Sequence, residues 1–185
     1  DIINVISLFP DSEQKIWIAG YDRLVIFDQK TGRMLMPEFH LNLNHVQDIS
    51  EKDGIVYLVA DHGFYIYTLE GRLIKHVLEN VGGANQILHF NKKTILCSEL
   101  SGLYAYDRST GQTEHLGLHK GGKAFNWQGA VCMEQESDSI LWIGTLSWGL
   151  IRANLETLDC ESYTMEDGLP GNDVTAIERD KQGRM

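Results

Sequence analysis

Leu141-Trp142-Ile143-Gly144-Thr145 is followed by Leu146-Ser147-Trp148 and then by Gly149-Leu150-Ile151-Arg152. This pattern, an apolar stretch around an anchor residue, a short turn and a second apolar stretch, occurs three more times. The earlier copies lie at residues 16–20 with 24–28, 56–60 with 63–67, and 94–98 with 102–107. The anchors at 17, 57, 95 and 142 are separated by 40, 38 and 47 residues. Such a period is typical of four-stranded propeller blades of about 40–50 residues.

Each repeat also has a short apolar opening stretch, 11 or 12 residues before its anchor, at residues 5–8, 46–49, 84–87 and 130–133. A tight turn must separate the two stretches, and Lys52-Asp53-Gly54 supplies residues that tolerate its backbone angles. The anchor stretch is apolar on consecutive residues, which is typical of a strand buried on both faces. Glycine (Gly63, Gly102 and Gly149) often introduces the third strand, and a more polar fourth strand, such as 161–164, closes the unit.

The repeats predict an all-β fold made of about four four-stranded blades of a β-propeller, which we expect to have seven blades in a larger protein. A β-solenoid is disfavoured because its coils usually have shorter periods, and an immunoglobulin-like sandwich would lack this identity between units. We predict blades at residues 1–43, 44–79, 80–122 and 123–171. Residues 172–185, with the apolar stretch 174–177, are then expected to hold the first strand of a further blade.

The composition restricts the class of partner. With 16 Lys and Arg against 26 Asp and Glu, the net charge is −10, so contact with nucleic acid is not expected. Cys97, Cys132 and Cys160 have neither CxxC spacing nor an even number, which argues against a disulfide framework or a zinc site. No apolar run approaches the ~18 residues of a membrane helix. We find no nucleotide-binding, zinc-protease, calcium-loop or nucleophile-elbow motif, and expect no catalytic residue, metal or cofactor.

The pattern resembles the two-component regulator propeller repeat. In that repeat a strand beginning Val-x-x-Ile leads to Leu-Trp-Ile-Gly-Thr, then Gly-Leu, and ends in a Gly-Leu-Pro-x-Asn-x-Val linker. The fullest match here combines residues 141–145, Gly149-Leu150 and the linker 168–174, after which Ile177 and Asp180 continue the pattern. The first three units depart from it, since Val59-Ala60 and Cys97-Ser98 replace Gly-Thr and Arg23 stands where Gly is expected.

The resemblance implies the extracytoplasmic ligand-sensing segment of a hybrid two-component sensor histidine kinase and response regulator of Bacteroidetes. It further implies a periplasmic location in an inner-membrane protein, an oligosaccharide ligand, and the remaining blades and domains of the same parent chain, itself a homodimer, as partners. The kinase domain would lie outside this segment, which is therefore not expected to be an enzyme. A protein-interaction scaffold and a polysaccharide lyase or hydrolase stay open as alternatives.

Strand order predicts where a ligand would bind, because the turn between the second and third strands shares a face with the linker to the next blade. We call this the top face. Sugar recognition needs a flat apolar platform and short polar groups, so the candidate ligand-binding residues are Trp148, Trp127, Tyr21, Arg23, Asp61, His62, Asn126 and Asn172. The same face is expected to include Asp22, Asn42, Asn44 and His45. Trp17 and Trp142 lie within strands and are predicted to be core residues.

Overall fold

The computed structural model describes residues 4–21, 23–38, 43, 45–78 and 84–185. The chain divides into two compact units, of which unit 1 ends at Ile87 and unit 2 begins at Leu88. The unit boundary falls inside the strand Ala84–Phe90.

Unit 1 contains two four-stranded antiparallel sheets in which neighbouring strands follow one another in the chain. The strands of blade one are β1 Val5–Pro10, β2 Lys15–Gly20, β3 Leu24–Asp28 and β4 Arg33–Leu35. The strands of blade two are β5 Asp48–Lys52, β6 Ile55–Ala60, β7 Gly63–Thr68 and β8 Leu73–Val77.

Two further four-stranded sheets and a small hairpin follow. Blade three consists of β9 Ala84–Phe90, β10 Lys93–Ser98, β11 Gly102–Asp107 and β12 Thr113–Leu116. The hairpin consists of β13 His119–Lys120 and β14 Lys123–Ala124. Blade four consists of β15 Ala130–Gln135, β16 Ile140–Thr145, β17 Leu150–Asn154 and β18 Cys160–Tyr163. The prediction of an all-β fold built from four-stranded blades is confirmed; the total of seven blades and the blade boundaries stay predictions.

The stretch 174–177, predicted to be a first strand, is not paired as a strand, and residues 173–180 lie outside every ladder of the described chain. Instead, Val174 N–H donates to Thr145 O at 2.9 Å, which attaches this segment to the end of β16. A strand needs a neighbour along its length to satisfy its backbone groups. No described segment of the chain runs beside 174–177 in that way.

The anchor strands lie in the core, as their apolar sequences predict. In unit 1, Trp17 of β2 is fully buried, and its ring centroid lies 5.7 Å from that of Tyr67 in the next blade. The indole Nε1–H of Trp17 donates to Asp11 Oδ2 at 3.0 Å, so its one polar atom is satisfied inside the core. The acid lies six residues before the tryptophan, in the turn that enters the anchor strand.

Blade four repeats this arrangement, but its tryptophan is only half buried. Trp142 Nε1–H donates to Glu136 Oε2 at 2.7 Å, again over six residues. Arg152 lies over the ring at 5.7 Å and binds Glu136 through two hydrogen bonds of 2.8 Å. The prediction that Trp142 belongs to the core is therefore wrong in part: polar and charged groups cover the ring, where in blade one the neighbouring blade covers it.

The backbone angles of two turns match the residue types found at those positions. Asp53 and Gly54 both have positive φ, 55° and 74°, as a two-residue type I′ hairpin requires. Gly149, which precedes β17, has a φ of 78°, and a Cβ at this position would collide with the carbonyl oxygen of Tyr163. Glycine is therefore needed here both for its backbone angle and for the close approach of the linker.

Asp48 is a partly buried carboxylate at the start of β5. Its Oδ1 accepts from Ile49 N–H at 2.9 Å and its Oδ2 accepts from Ile87 N–H at 2.8 Å, so it joins β5 to the following first strand. Burial raises the pKa of this carboxyl above its usual range, although the two backbone N–H groups oppose that shift.

We expect Trp17→Ala to lower the free energy of unfolding by about 3–5 kcal/mol, because it removes a fully buried indole. Trp142→Ala should cost less, since its ring is only half buried. Chemical denaturation followed by far-ultraviolet circular dichroism measures both losses against the parent chain. An equal or larger loss for Trp142→Ala would contradict the assigned burial.

Asp48 should make the stability of the fold depend on pH. Between about pH 4, the ordinary range of a carboxyl, and the raised pKa, the folded state holds a proton that the unfolded state releases. The free energy of unfolding should therefore fall as pH rises through this window, and this contribution should be absent in Asp48→Asn. Denaturation curves for both proteins across the window provide the comparison, and identical pH dependence would refute the assignment.

Candidate ligand-binding site

A small cavity in unit 2 lies where the linker between blades three and four meets the top face of blade three. Its volume is 260 Å³. The linker contributes Phe125, Asn126 and Trp127, and blade three contributes Ser101 and His115. We call this space the linker cavity. Pockets for drug-sized ligands usually measure about 300–1,000 Å³, so the linker cavity suits one small ring rather than a whole oligosaccharide.

The linker is held by backbone hydrogen bonds at both ends of its aromatic stretch. Phe125 N–H donates to Leu118 O at 2.8 Å, across the base of the β13–β14 hairpin. Gly129 N–H donates to Glu99 O at 2.6 Å, and Gly129 O accepts from Leu146 N–H at 2.8 Å. The linker is thereby fixed between the second turns of blades three and four, which positions its aromatic side chains.

Trp127 forms part of the cavity wall and is half buried. A Cβ added to Gly102, whose φ is 81°, would lie 3.4 Å from Trp127 Cζ2. The indole therefore packs against the bare backbone of Gly102, and it also contacts the core of unit 2. Part of the ring has a structural role, and the remainder faces the linker cavity.

Trp148 is the exposed aromatic platform near the linker, with 40% of its surface accessible. Its turn is held by two bonds: Ser147 N–H donates to Asp173 Oδ1 at 2.8 Å, and Trp148 N–H donates to Thr145 Oγ1 at 3.2 Å. The Phe125 ring meets the indole edge to face, with centroids 6.0 Å apart and planes at 88°. The platform is therefore oriented before any ligand arrives, which reduces the entropy lost on binding.

His115 and Phe125 belong to this site but are not among the residues selected from the sequence. His115 Nε2 lies 2.7 Å from Ser101 O, and because a carbonyl only accepts, Nε2 carries the proton. Blade two repeats the bond between His76 Nε2 and His62 O at 3.0 Å. Histidine at the same register position of two fourth strands was a usable signal; for Phe125 the signal was its place in an aromatic linker.

Unit 1 brings together three top-face side chains of its own. The rings of Tyr21 and His45 meet edge to face with centroids 4.3 Å apart, and His45 Nδ1 lies 3.5 Å from Asp61 Oδ2. The backbone N–H of His45 donates to Tyr21 O at 3.1 Å, and His45 has a φ of 39°. The expected convergence of the β2–β3 turn, the following linker and the β6–β7 turn is therefore observed within this unit.

The other residues selected from the sequence differ in their exposure and in their hydrogen bonding. Asn126 and His62 are exposed, and Arg23 is half buried next to the start of β3. Asn172 is engaged in structure: its Oδ1 accepts from Met165 N–H at 2.9 Å and its backbone oxygen accepts from Gly149 N–H at 2.8 Å. Asp22, Asn42 and Asn44 lie outside the described residues.

The described part of the chain contains neither a metal-binding cluster nor a membrane-spanning helix. Among residues 4–21, 23–38, 43, 45–78 and 84–185, no group of three or more His, Cys, Asp or Glu side chains is placed to hold a metal ion. Within these same ranges, no helix has the length and apolar character needed to cross a membrane.

Comparison with known proteins finds similarity in the fold. No family model matches the sequence, and no curated protein matches it. The extracellular domain of BT3049 of B. thetaiotaomicron, assigned to the hybrid two-component systems, aligns with a TM-score of 0.75 at 18% identity. That alignment covers 97% of this chain and 26% of the other, so this chain spans about a quarter of its relative.

Two more solved structures share the fold of this chain. The extracellular domain of BT4673, assigned to a hybrid two-component system of the same organism, aligns with a TM-score of 0.67 at 17% identity, covering 86% of this chain and 21% of the other. The computationally designed protein Ika8 aligns with a TM-score of 0.73 at 15% identity, covering 96% and 53%. The predicted resemblance to the extracellular region of Bacteroides hybrid two-component systems is thus matched by structural neighbours, and at these identities the likeness shows the fold.

Proposed function

We propose that this chain is an extracytoplasmic ligand-sensing segment of a hybrid two-component system and that its ligand is an oligosaccharide. The observation that carries the proposal is the pre-oriented aromatic group Phe125, Trp127 and Trp148 beside the linker cavity. The structural likeness to extracellular domains assigned to such systems supports the same function.

The chemistry of the site suits a sugar. Trp148 offers an exposed flat surface for the apolar face of a ring, and Asn126 and Ser101 offer short groups that donate to and accept from hydroxyls. The cavity volume of 260 Å³ accommodates one ring, so the rest of a chain would lie along the exposed surface near Trp148.

We infer that the segment lies in the periplasm as part of an inner-membrane homodimer, and that ligand binding is signalled to a histidine kinase outside this chain to control transcription. The protein-interaction scaffold and the polysaccharide lyase or hydrolase are alternatives that the following experiment separates from it.

We expect Trp148→Ala to weaken oligosaccharide binding at least tenfold, which is about 1.4 kcal/mol. The melting temperature should change little, because 40% of the side chain is exposed. Isothermal titration calorimetry over a panel of neutral and acidic oligosaccharides measures the affinities, and Met34→Ala is the control since it removes another exposed apolar side chain, on β4.

The outcomes separate the candidate functions. Absence of heat with every sugar in the panel would refute oligosaccharide sensing. Hydrolysis or elimination of a bound sugar would favour the enzyme, and a protein partner that binds without sugar would favour the scaffold. Loss of binding in Tyr21→Ala but not in Trp148→Ala would move the site to the cluster of unit 1.

A further inference from the structure

The turn that carries Trp148 has a backbone conformation that serine rarely adopts. Ser147 has a φ of 76°, in the left-handed region, where its Cβ approaches the following carbonyl oxygen. A residue other than glycine stays in this region only when its surroundings hold it there, and such positions are common at binding sites. We call residues 146–149 the platform turn. Because Trp148 follows Ser147 directly, the orientation of its indole depends on what holds Ser147.

A side chain from outside the platform turn holds Ser147. Asp173 Oδ1 accepts from Ser147 N–H at 2.8 Å, across 26 residues of sequence. Asp173 belongs to residues 172–174, which leave blade four and which we call the exit linker. A hydrogen bond to an ionised carboxylate is about twice as strong as a neutral one. The exit linker therefore supplies the acceptor that stabilises the left-handed conformation of Ser147.

Backbone hydrogen bonds join the exit linker to the platform turn on either side of Asp173. Gly149 N–H donates to Asn172 O at 2.8 Å, and Val174 N–H donates to Thr145 O at 2.9 Å. Three consecutive residues of the exit linker thus bind the chain at three points between 145 and 149. Because a displacement of the exit linker would break all three hydrogen bonds, we expect linker and turn to move together.

Thr145 connects the exit linker to Trp148 through a buried side chain. Its hydroxyl accepts from Trp148 N–H at 3.2 Å and donates to Gly149 O at 2.7 Å, and the residue is fully buried. Its backbone oxygen is the acceptor for Val174 N–H. The same residue therefore contacts both the exit linker and the amide of Trp148. A ligand that rests on the indole of Trp148 acts on a segment whose conformation the exit linker fixes.

We propose that Asp173 is a positioning residue that couples ligand binding at Trp148 to the exit linker. This inference rests on the proposed function and deepens it, because it assigns a means of regulation to the same site. A sugar stacked on Trp148 favours the turn conformation that donates to Asp173, which keeps Val174 bound to Thr145. Coupling between two sites is reciprocal, so release of the exit linker from the turn must weaken sugar binding by the same factor.

The first experiment tests the positioning role without any ligand. Amide hydrogen exchange of the 185-residue chain is followed by NMR at Ser147, Trp148 and Val174. Asp173→Ala should speed exchange at Ser147 and Trp148 about tenfold, because the bond that holds the turn is lost. Asp173→Asn should retain most of the protection, since its side-chain oxygen can still accept.

Asp138→Ala is the matched control, because Asp138 is another exposed acid of blade four, in the turn between β15 and β16 at the other end of the anchor strand. Its removal should leave exchange at Ser147 and Trp148 unchanged. All variants are expected to fold, since both acids are exposed and Leu146 N–H still donates to Gly129 O at 2.8 Å. Circular dichroism spectra and melting temperatures check this expectation.

The second experiment tests the coupling. Cellotetraose, xylotetraose and tetragalacturonic acid are titrated into the chain by isothermal titration calorimetry, and the tetrasaccharide that binds is then present at saturation during exchange. It should slow exchange at Val174 about tenfold in the parent chain but not in Asp173→Ala. Asp173→Ala should bind it about tenfold more weakly, whereas Asp173→Asn and Asp138→Ala should bind it as the parent does. A merely structural role for Asp173 would not make protection of Val174 depend on the sugar.

The failures of the two proposals can be distinguished. Unchanged exchange at Ser147 and Trp148 in Asp173→Ala would overturn the positioning role, whatever the sugars do. Unchanged sugar affinity in that variant, or equal protection of Val174 with and without sugar in the parent chain, would overturn the coupling and leave oligosaccharide sensing intact. Absence of binding by these tetrasaccharides and by every other member of the oligosaccharide panel would refute the proposed function and the coupling together.

Discussion

Burial of the second strand of each blade is the constraint on which the rest of this structure depends. These strands carry apolar residues on both faces, and Trp17, Leu58, Leu96 and Leu141 are almost completely inaccessible. In unit 1 a single apolar cluster joins both blades, and in unit 2 another cluster joins blade three to blade four. Because the second strand packs on both sides, each blade needs a cover on both faces, and within each unit the neighbouring sheet supplies one of them.

The polar atoms of this core are satisfied by the turns that bound it. The indoles of Trp17 and Trp142 each donate to an acid six residues earlier, at the turn that leads into the anchor strand. The same hydrogen bond therefore fixes the turn and the strand that follows it. The aromatic linker, the Trp148 turn and the Tyr21–His45 pair all lie in turns and linkers, where binding residues are usually found on a rigid scaffold.

Most of the fold was predictable because it rests on local periodicity. Anchor spacing, consecutive apolar residues and turn glycines such as Gly54 and Gly149 indicate strands and reversals without knowledge of distant contacts. The site was predictable only in part. Tryptophans in turns can be read as platforms, but the packing of Trp127 on Gly102 and the use of Asn172 as a cap depend on residues far apart in sequence. The stretch 174–177 has no strand partner in the described chain for a related reason, since pairing is a property of two segments.

By itself, the sequence determined an acidic, all-β chain of four repeating blades. A strand buried on both faces needs consecutive apolar residues, and such a run recurs in every unit. Tertiary structure alone decided which top-face residues meet. It placed Phe125 against Trp148, set the ammonium of Lys120 near that ring and brought His45 to Asp61. Those contacts depend on how a linker is fixed between two turns by a few backbone hydrogen bonds. Hydrogen bonds of this kind produce no repeating pattern in the sequence, whereas the buried strands that the linker connects do produce one.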